Sequence, residues 1–124
     1  MIRKFPKREY IDLFAGPGRC VLSDDSGEFE GSPIAVLKTK VPFSRYHFVE
    51  AGQEEMSALK ARARRSDRFD NVSWYHEDAN LAAEKIRRSI PREALALALI
   101  DPTGLHFRFD SLKTLTGDRQ MDLI

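Results

Sequence analysis

The run Tyr10-Ile11-Asp12-Leu13-Phe14-Ala15-Gly16-Pro17-Gly18 decides the fold of this chain. It is an apolar segment with one acid inside it, and it ends on two glycines that a single residue separates. A strand that stops in such a turn exposes bare backbone, because glycine has no Cβ and tolerates a positive φ. In open α/β sheets the carboxyl ends of the strands are where nucleotides bind. The G-x-G-x-x-G pattern is incomplete, since Val21 stands at the third glycine position.

Three further apolar segments also end in acids. They are Tyr46 to Glu50, Val72 to Asp78, and Ala94 to Asp101. The distance from Gly18 to Glu50 exceeds the usual spacing of about 20 residues, and an insertion over residues 19–31 accounts for the excess. Strands that alternate with helical segments predict a parallel sheet, and long apolar runs suit strands that are covered on both faces.

Local signals place the elements between these strands. We predict a first strand over residues 9–14, a short hairpin in the insertion around Asp25-Ser26-Gly27, and a last strand over 121–124. The first two predicted helices run from a Ser32 cap to about Lys40 and over residues 53–65. The other two are a helix over 81–89 capped by Asn80 and a short helix that Asp110 caps and Gly117 ends.

The composition bounds the possible functions. At 124 residues the chain is one domain at most, and 42% hydrophobic residues suffice for a core. A net charge of +1 gives no global attraction to nucleic acid or to membranes, and no apolar run is long enough to span a bilayer. The single cysteine, Cys20, excludes an internal disulfide. We expect a cytoplasmic protein with a basic N-terminal arm over residues 1–8.

Three motifs carry a family resemblance: Asp12 to Cys20, Gly31-Ser32-Pro33, and Asp101-Pro102-Thr103-Gly104-Leu105. Together they resemble the class I S-adenosylmethionine-dependent methyltransferases and, within that fold, the three-Cys-motif partner family. The resemblance covers most of residues 9–124. It implies a Rossmann-like methyltransferase three-layer sandwich with a mostly parallel sheet. It also implies that residues 9–124 are the N-terminal part of a longer domain whose C-terminal strands are missing from this chain. A naturally small domain is the alternative.

The resemblance implies S-adenosylmethionine as the cofactor and assigns roles at the strand ends. The loop of Gly16, Pro17 and Gly18 would lie beneath the methionyl end and the ribose, although it could also be a plain tight turn. Asp12 would orient the amino group, or serve as a buried structural hydrogen-bonding group. Glu50 could accept hydrogen bonds from both ribose hydroxyls through its two oxygens, or be a solvated loop acid. The remaining cofactor-binding candidates are Asp78 and Ala79 at the adenine, together with Phe14 and Asp101.

The segment after the fourth strand supplies the catalytic candidates, which are Asp101, Pro102 and His106. Methyltransferases that act on the amino groups of bases carry Asp/Asn-Pro-Pro-aromatic at this point, whereas this chain has Thr103-Gly104 after Asp-Pro. His106 could be a base or an ordinary loop histidine. Cys20 follows Arg19 rather than proline, which disfavours cytosine-C5 chemistry. The adjacent residues His76-Glu77-Asp78 point to alternate faces of a strand, so we predict no metal site.

Three functions remain open at this stage. The first is an S-adenosylmethionine-dependent methyltransferase, and the second is a non-catalytic cofactor-binding subunit that acts with a cysteine-motif partner protein. A nicotinamide-dependent oxidoreductase is the third, and the missing third glycine counts against it. The basic stripe from Lys60 to Arg68 could contact the phosphates of a nucleic acid, or be a solvated face, and we expect it at the sheet edge away from the methyl group. We also expect the isolated chain to associate through an apolar sheet edge.

Overall fold

A computed structural model describes residues 7–21, 28–100, 108–117 and 119–124 of the chain. The elements in chain order are strand β1 (Arg8–Asp12), strand β2 (Arg19–Val21), strand β3 (Glu28–Glu30), helix α1 (Ser32–Leu37), strand β4 (Arg45–Val49), helix α2 (Gln53–Ala63), a 3₁₀ turn (Phe69–Asn71), strand β5 (Val72–Tyr75), helix α3 (Ala79–Ser89), strand β6 (Leu95–Leu99), helix α4 (Phe109–Thr116) and strand β7 (Gln120–Leu123).

The main sheet is parallel throughout and has the strand order β5-β4-β1-β6-β7. From β1 the chain moves outward to β4 and β5, then returns to the other side of β1 and adds β6 and β7. The direction of winding therefore reverses at β1. This doubly wound order is the arrangement that leaves a crevice at the carboxyl end of the central strand.

Helices cover both faces of the sheet, as strands with apolar residues on both faces require. Side chains of β1 alternate between two cores. Tyr10 packs on the α1/α2 face with Tyr46, Phe48 and Leu59, and Ile11 packs on the α3/α4 face. The predicted Rossmann-like, three-layer α/β fold is confirmed.

Strands β1 and β5 are shorter than predicted. β1 ends at Asp12 rather than at residue 14, and β5 ends at Tyr75, so that Asp78 lies in the following loop. Helix α1 ends at Leu37 and not near Lys40. The apolar signal extends past Asp12 because Leu13 stays buried after the chain leaves β1.

Three predicted helix caps are wrong. The side chain of Asp78, and not that of Asn80, accepts a hydrogen bond from a backbone N–H of α3, namely the N–H of Asn80 at 2.8 Å. Ser32 is the first residue of α1 and makes no capping bond, since its hydroxyl donates to a buried carboxylate instead. Asp110 lies inside the first turn of α4, which starts one residue earlier.

The predicted hairpin and the predicted last strand are both present. β2 and β3 pair antiparallel, and the Gly31 N–H donates to the Gly18 carbonyl at 3.1 Å at the base of the hairpin. The turn predicted at 25–27 lies outside the described residues. β7 pairs with β6 after Gly117 ends α4 with a φ of +21°. No helix in the described ranges is long and apolar enough to cross a membrane.

Candidate functional site

The loop after β1 occupies the crevice where the winding of the sheet reverses. Its backbone is bonded to both neighbouring strands: the Ala15 N–H donates to the Val49 carbonyl at 2.9 Å, and the Leu13 N–H donates to the Leu99 carbonyl at 3.5 Å. These two bonds attach the loop to both strands that flank β1. Ligands of doubly wound sheets bind at this position.

The two glycines of the loop differ in their surroundings. Gly16 has a φ of +71°, and a Cβ added there would meet nothing within 4 Å. Gly18 has a φ of +91°, and its Cβ would lie 3.0 Å from Ile34 and 3.2 Å from Leu59. Gly16 therefore leaves open space above the loop, whereas Gly18 is required for packing against the α1/α2 layer.

Glu50 directly follows β4 and is bonded to the glycine loop. Its Oε1 accepts a hydrogen bond from the Gly16 N–H at 2.8 Å, and its Oε2 accepts one from the Gly52 N–H at 2.8 Å. The side chain is half-buried. Each carboxylate oxygen has two lone pairs, so both oxygens retain a site for a further donor. The two N–H bonds also fix the orientation of the carboxylate.

Asp12, at the end of β1, is buried on the α1/α2 side. The Ser32 hydroxyl donates to its Oδ2 at 2.5 Å, and the Tyr10 hydroxyl lies 3.4 Å from the same oxygen. Burial, and then the charge of this carboxylate, raise the pKa of Tyr10. These bonds match the structural alternative considered for Asp12, because they tie β1 to the start of α1.

Asp78 and Ala79 begin the α3 layer at the end of β5. One oxygen of the exposed Asp78 caps the helix, while its Oδ2 has no bonding partner within the described part of the chain. Ala79 is buried at the first helical position, where backbone N–H groups have no partner within a helix. Phe14 is half-buried and packs against the core on the α3/α4 face.

The three catalytic candidates, Asp101, Pro102 and His106, lie outside the described residues. The chain resumes at Arg108, whose N–H donates to the Asn80 side-chain oxygen at 2.7 Å. The start of α4 is therefore anchored beside the start of α3. Within the described ranges, no three His, Cys, Asp or Glu side chains are placed to share a metal ion.

Sequence reasoning missed the contact of Arg62 with the glycine loop. The Arg62 Nη1 donates to the Pro17 carbonyl at 2.6 Å, although 45 residues separate the two. The basic stripe was expected at the far edge of the sheet, and that expectation is wrong for Arg62. A cavity of about 730 Å³ beside this contact is lined by Gly18 but not by Asp12, Glu50 or Asp78.

A buried polar network on the α3/α4 face was also missed. His47 lies with its Nε2 2.6 Å from the Glu9 carboxylate and its Nδ1 3.0 Å from the Tyr75 hydroxyl. Burial is the main cause of a raised pKa at Tyr75. The available signal was a polar residue within each of two apolar strands, which is unusual unless the groups pair.

Comparison with known proteins supports the fold only. No family model matches the chain, and no curated protein matches it. The solved structures similar to it include that of protein LPL1258 from Legionella pneumophila str. Philadelphia 1, described under the family model DUF519. The TM-score is 0.60 at 17% sequence identity, and the match covers 90% of this chain. The chain spans about half the length of that protein, 53%.

Proposed function

We propose that this chain binds S-adenosylmethionine at the carboxyl edge of its sheet and is part of a methyltransferase-like protein. The observation that carries the proposal is the Glu50 carboxylate, which two backbone N–H groups hold beside the glycine loop. It lies at the reversal of the winding, where a doubly wound sheet binds an adenosine.

The residues present fit such a ligand. Glu50 retains an acceptor site on each oxygen for the vicinal hydroxyls of a ribose. Gly16 leaves room for close approach to the loop backbone, because nothing lies within 4 Å of where its Cβ would be. At the next strand end, the second oxygen of Asp78 can accept from an exocyclic amine. Bound S-adenosylmethionine would supply an electrophilic methyl group, which these residues would orient toward an acceptor.

Calorimetry with S-adenosylhomocysteine and, separately, with NAD tests the proposal. We expect S-adenosylhomocysteine to bind and Glu50→Gln to weaken binding by about 1–3 kcal/mol, the scale of lost hydrogen bonds to a charged group. Glu93→Gln is the matched control, since Glu93 is exposed and precedes β6 at the opposite edge of the sheet. Melting curves of both variants would show that the fold is retained.

Two results would count against the proposal. One is binding of NAD without binding of S-adenosylhomocysteine, which would favour an oxidoreductase. The other is an equal affinity of the Glu50→Gln and Glu93→Gln variants, which would remove Glu50 from the site. Cofactor binding without methyl transfer would favour the partner-subunit alternative, in which the fold binds the cofactor and a cysteine-motif protein.

A further inference from the structure

A basic groove lies on the outer side of the glycine loop. It is the cavity of about 730 Å³ between the base of the β2–β3 hairpin, the end of α1 and the end of α2. We define the basic groove by the five cations that line it, Arg19, Lys38, Arg62, Arg65 and Arg68. None of these residues belongs to the cofactor site described above, so the inference does not rest on the proposed function.

Positive charge is concentrated in this groove. Five cations line it against two carboxylates, Glu30 and Asp67, a net charge of +3, whereas the whole chain carries +1. Lys38 and Glu30 form an ion pair with each other at the surface. The remaining lining is dominated by arginine, whose planar guanidinium suits phosphate oxygens better than a lysine ammonium does.

Two of the arginines are held in place by backbone carbonyls. Arg62 donates to the Pro17 carbonyl, and Arg68 donates to the carbonyls of Leu37 at 2.9 Å and Thr39 at 2.7 Å. A guanidinium has five N–H donors, so each retains donors for a ligand. Because these side chains are already ordered, a bound anion would immobilise few additional rotamers.

Arg65 differs from these two. Its side chain is exposed at the end of α2, and within the described part of the chain its guanidinium has no hydrogen bond or ion pair. Arg64, next to Arg65 in the chain, and Lys40, two residues after Lys38, are exposed as well. The lining cations come from β2, from the residue after α1, and from α2 and the segment that follows it. Arg62 is anchored at the glycine loop and Arg68 at the end of α1, so these two guanidinium groups are fixed to different parts of the groove.

We propose that the basic groove binds the phosphate backbone of a single-stranded nucleic acid. Guanidinium groups anchored at different parts of the groove suit successive phosphates of a chain, because each phosphate can meet its own cation. The volume of the cavity is that of a site for a small ligand such as one nucleotide. An unpaired strand can insert one of its nucleotides there, whereas the nucleotides of a duplex are paired. Charged grooves that follow the backbone are the common feature of proteins that bind single strands.

Fluorescence anisotropy with a labelled oligothymidylate of about 12 nucleotides tests this proposal on the full chain. The logarithm of the binding constant should decrease linearly with the logarithm of the salt concentration. Each phosphate contact contributes about −0.7 to the slope, so three contacts predict a slope of about −2. At about 0.1 M salt, Arg65→Glu should weaken binding by at least about fivefold, because one contact is lost. Arg65→Gln should weaken binding about fivefold through the lost contact alone, and Arg65→Glu should weaken it more, because the new carboxylate repels the phosphates.

Arg88→Glu is the control with the same change in net charge. Arg88 is exposed on α3, in the opposite helical layer, and its substitution should change the binding constant by less than about twofold. Equal losses for Arg65→Glu and Arg88→Glu, or binding independent of salt, would overturn the proposal. So would displacement of the oligonucleotide by an equal concentration of inorganic phosphate or a mononucleotide, which would show a site for small phosphates.

Discussion

At the scale of single residues, Gly16 and Gly18 are each required in the loop for a different physical reason. Gly16→Ala places a Cβ in open space, so we expect only the cost of the left-handed backbone, about 1–2 kcal/mol. Gly18→Ala adds overpacking against Ile34 and Leu59, for a total of about 2–5 kcal/mol. Urea unfolding of both variants measures these losses. A Gly16→Ala variant that loses as much stability as Gly18→Ala would contradict this assignment.

The buried Tyr10 hydroxyl predicts a loss of stability in alkali. Its side chain is 5% exposed, and burial raises its pKa above the ordinary value of 10.0. Above pH 10 the unfolded chain loses this proton while the folded chain retains it. The free energy of unfolding therefore decreases with rising pH, by about 1.4 kcal/mol per pH unit for this group. Below pH 10 the contribution of the Tyr10 hydroxyl to the free energy of unfolding is fully present.

The measurement is urea unfolding at several pH values from about 9 to 11, for the natural chain and for Tyr10→Phe. The other titrating groups are common to both proteins, so the difference between the two curves isolates Tyr10. We expect the natural chain to lose stability more steeply above pH 10. Parallel curves for the natural chain and Tyr10→Phe would show that the Tyr10 hydroxyl has the same pKa in the folded and the unfolded chain, which would contradict the prediction.

At the scale of elements, the β2–β3 hairpin is the part added to the plain βα unit. Two strands of three residues each form a sheet of their own, away from the main sheet. A lone two-stranded hairpin is marginally stable. The bond from the Gly31 N–H to the Gly18 carbonyl closes its base beside the glycine loop, so the hairpin begins and ends next to the proposed cofactor site.

We expect the amide hydrogens of β2 and β3 to exchange faster than those of β4 in the free chain. With S-adenosylhomocysteine bound, exchange in the hairpin should slow, because the ligand would order the loop at its base. Hydrogen exchange followed by mass spectrometry measures both. The central strand β4 is the internal control. Equal exchange of the hairpin with and without ligand would mean that it is only a surface hairpin.

At the scale of the whole molecule, β5 and β7 are the edge strands of the sheet formed by the residues that the structure describes. β7 presents Leu123, which is 45% exposed, next to Ile124, which is 65% exposed. Leu97 and Leu99 of the neighbouring strand are only half-buried on the α1/α2 face. An apolar strand at an open edge offers unpaired backbone groups to another copy.

We expect the chain to self-associate in a concentration-dependent way and Leu123→Lys to shift it toward the monomer, since a lysine on an edge strand opposes pairing. Leu81→Lys is the matched control, because Leu81 is exposed on α3, away from that edge. Sedimentation velocity measures the distribution of species. A monomer at every concentration, or an equal effect of the two substitutions, would contradict association through β7.

The sequence alone determined the parallel α/β fold, the turn at Gly16 and Gly18, the hairpin, and the position of Glu50 at a strand end. These features depend on apolar periodicity, glycine and turn residues, which are local properties of the chain. The exact ends of elements and the identity of the caps were less well predicted. Asp78 and Asn80 are both good cap residues, and only the backbone path selects between them.

Only the tertiary structure decided which polar side chains meet. Ser32 bonds to Asp12 across 20 residues, His47 to Glu9 across 38, and Arg62 to Pro17 across 45. Residues so distant in sequence come together only when the order of the strands and the packing of the helical layers are set. A sequence pattern records which face of an element is apolar, but not which element lies against that face. For that reason the basic groove and the buried histidine network became visible only in the folded chain.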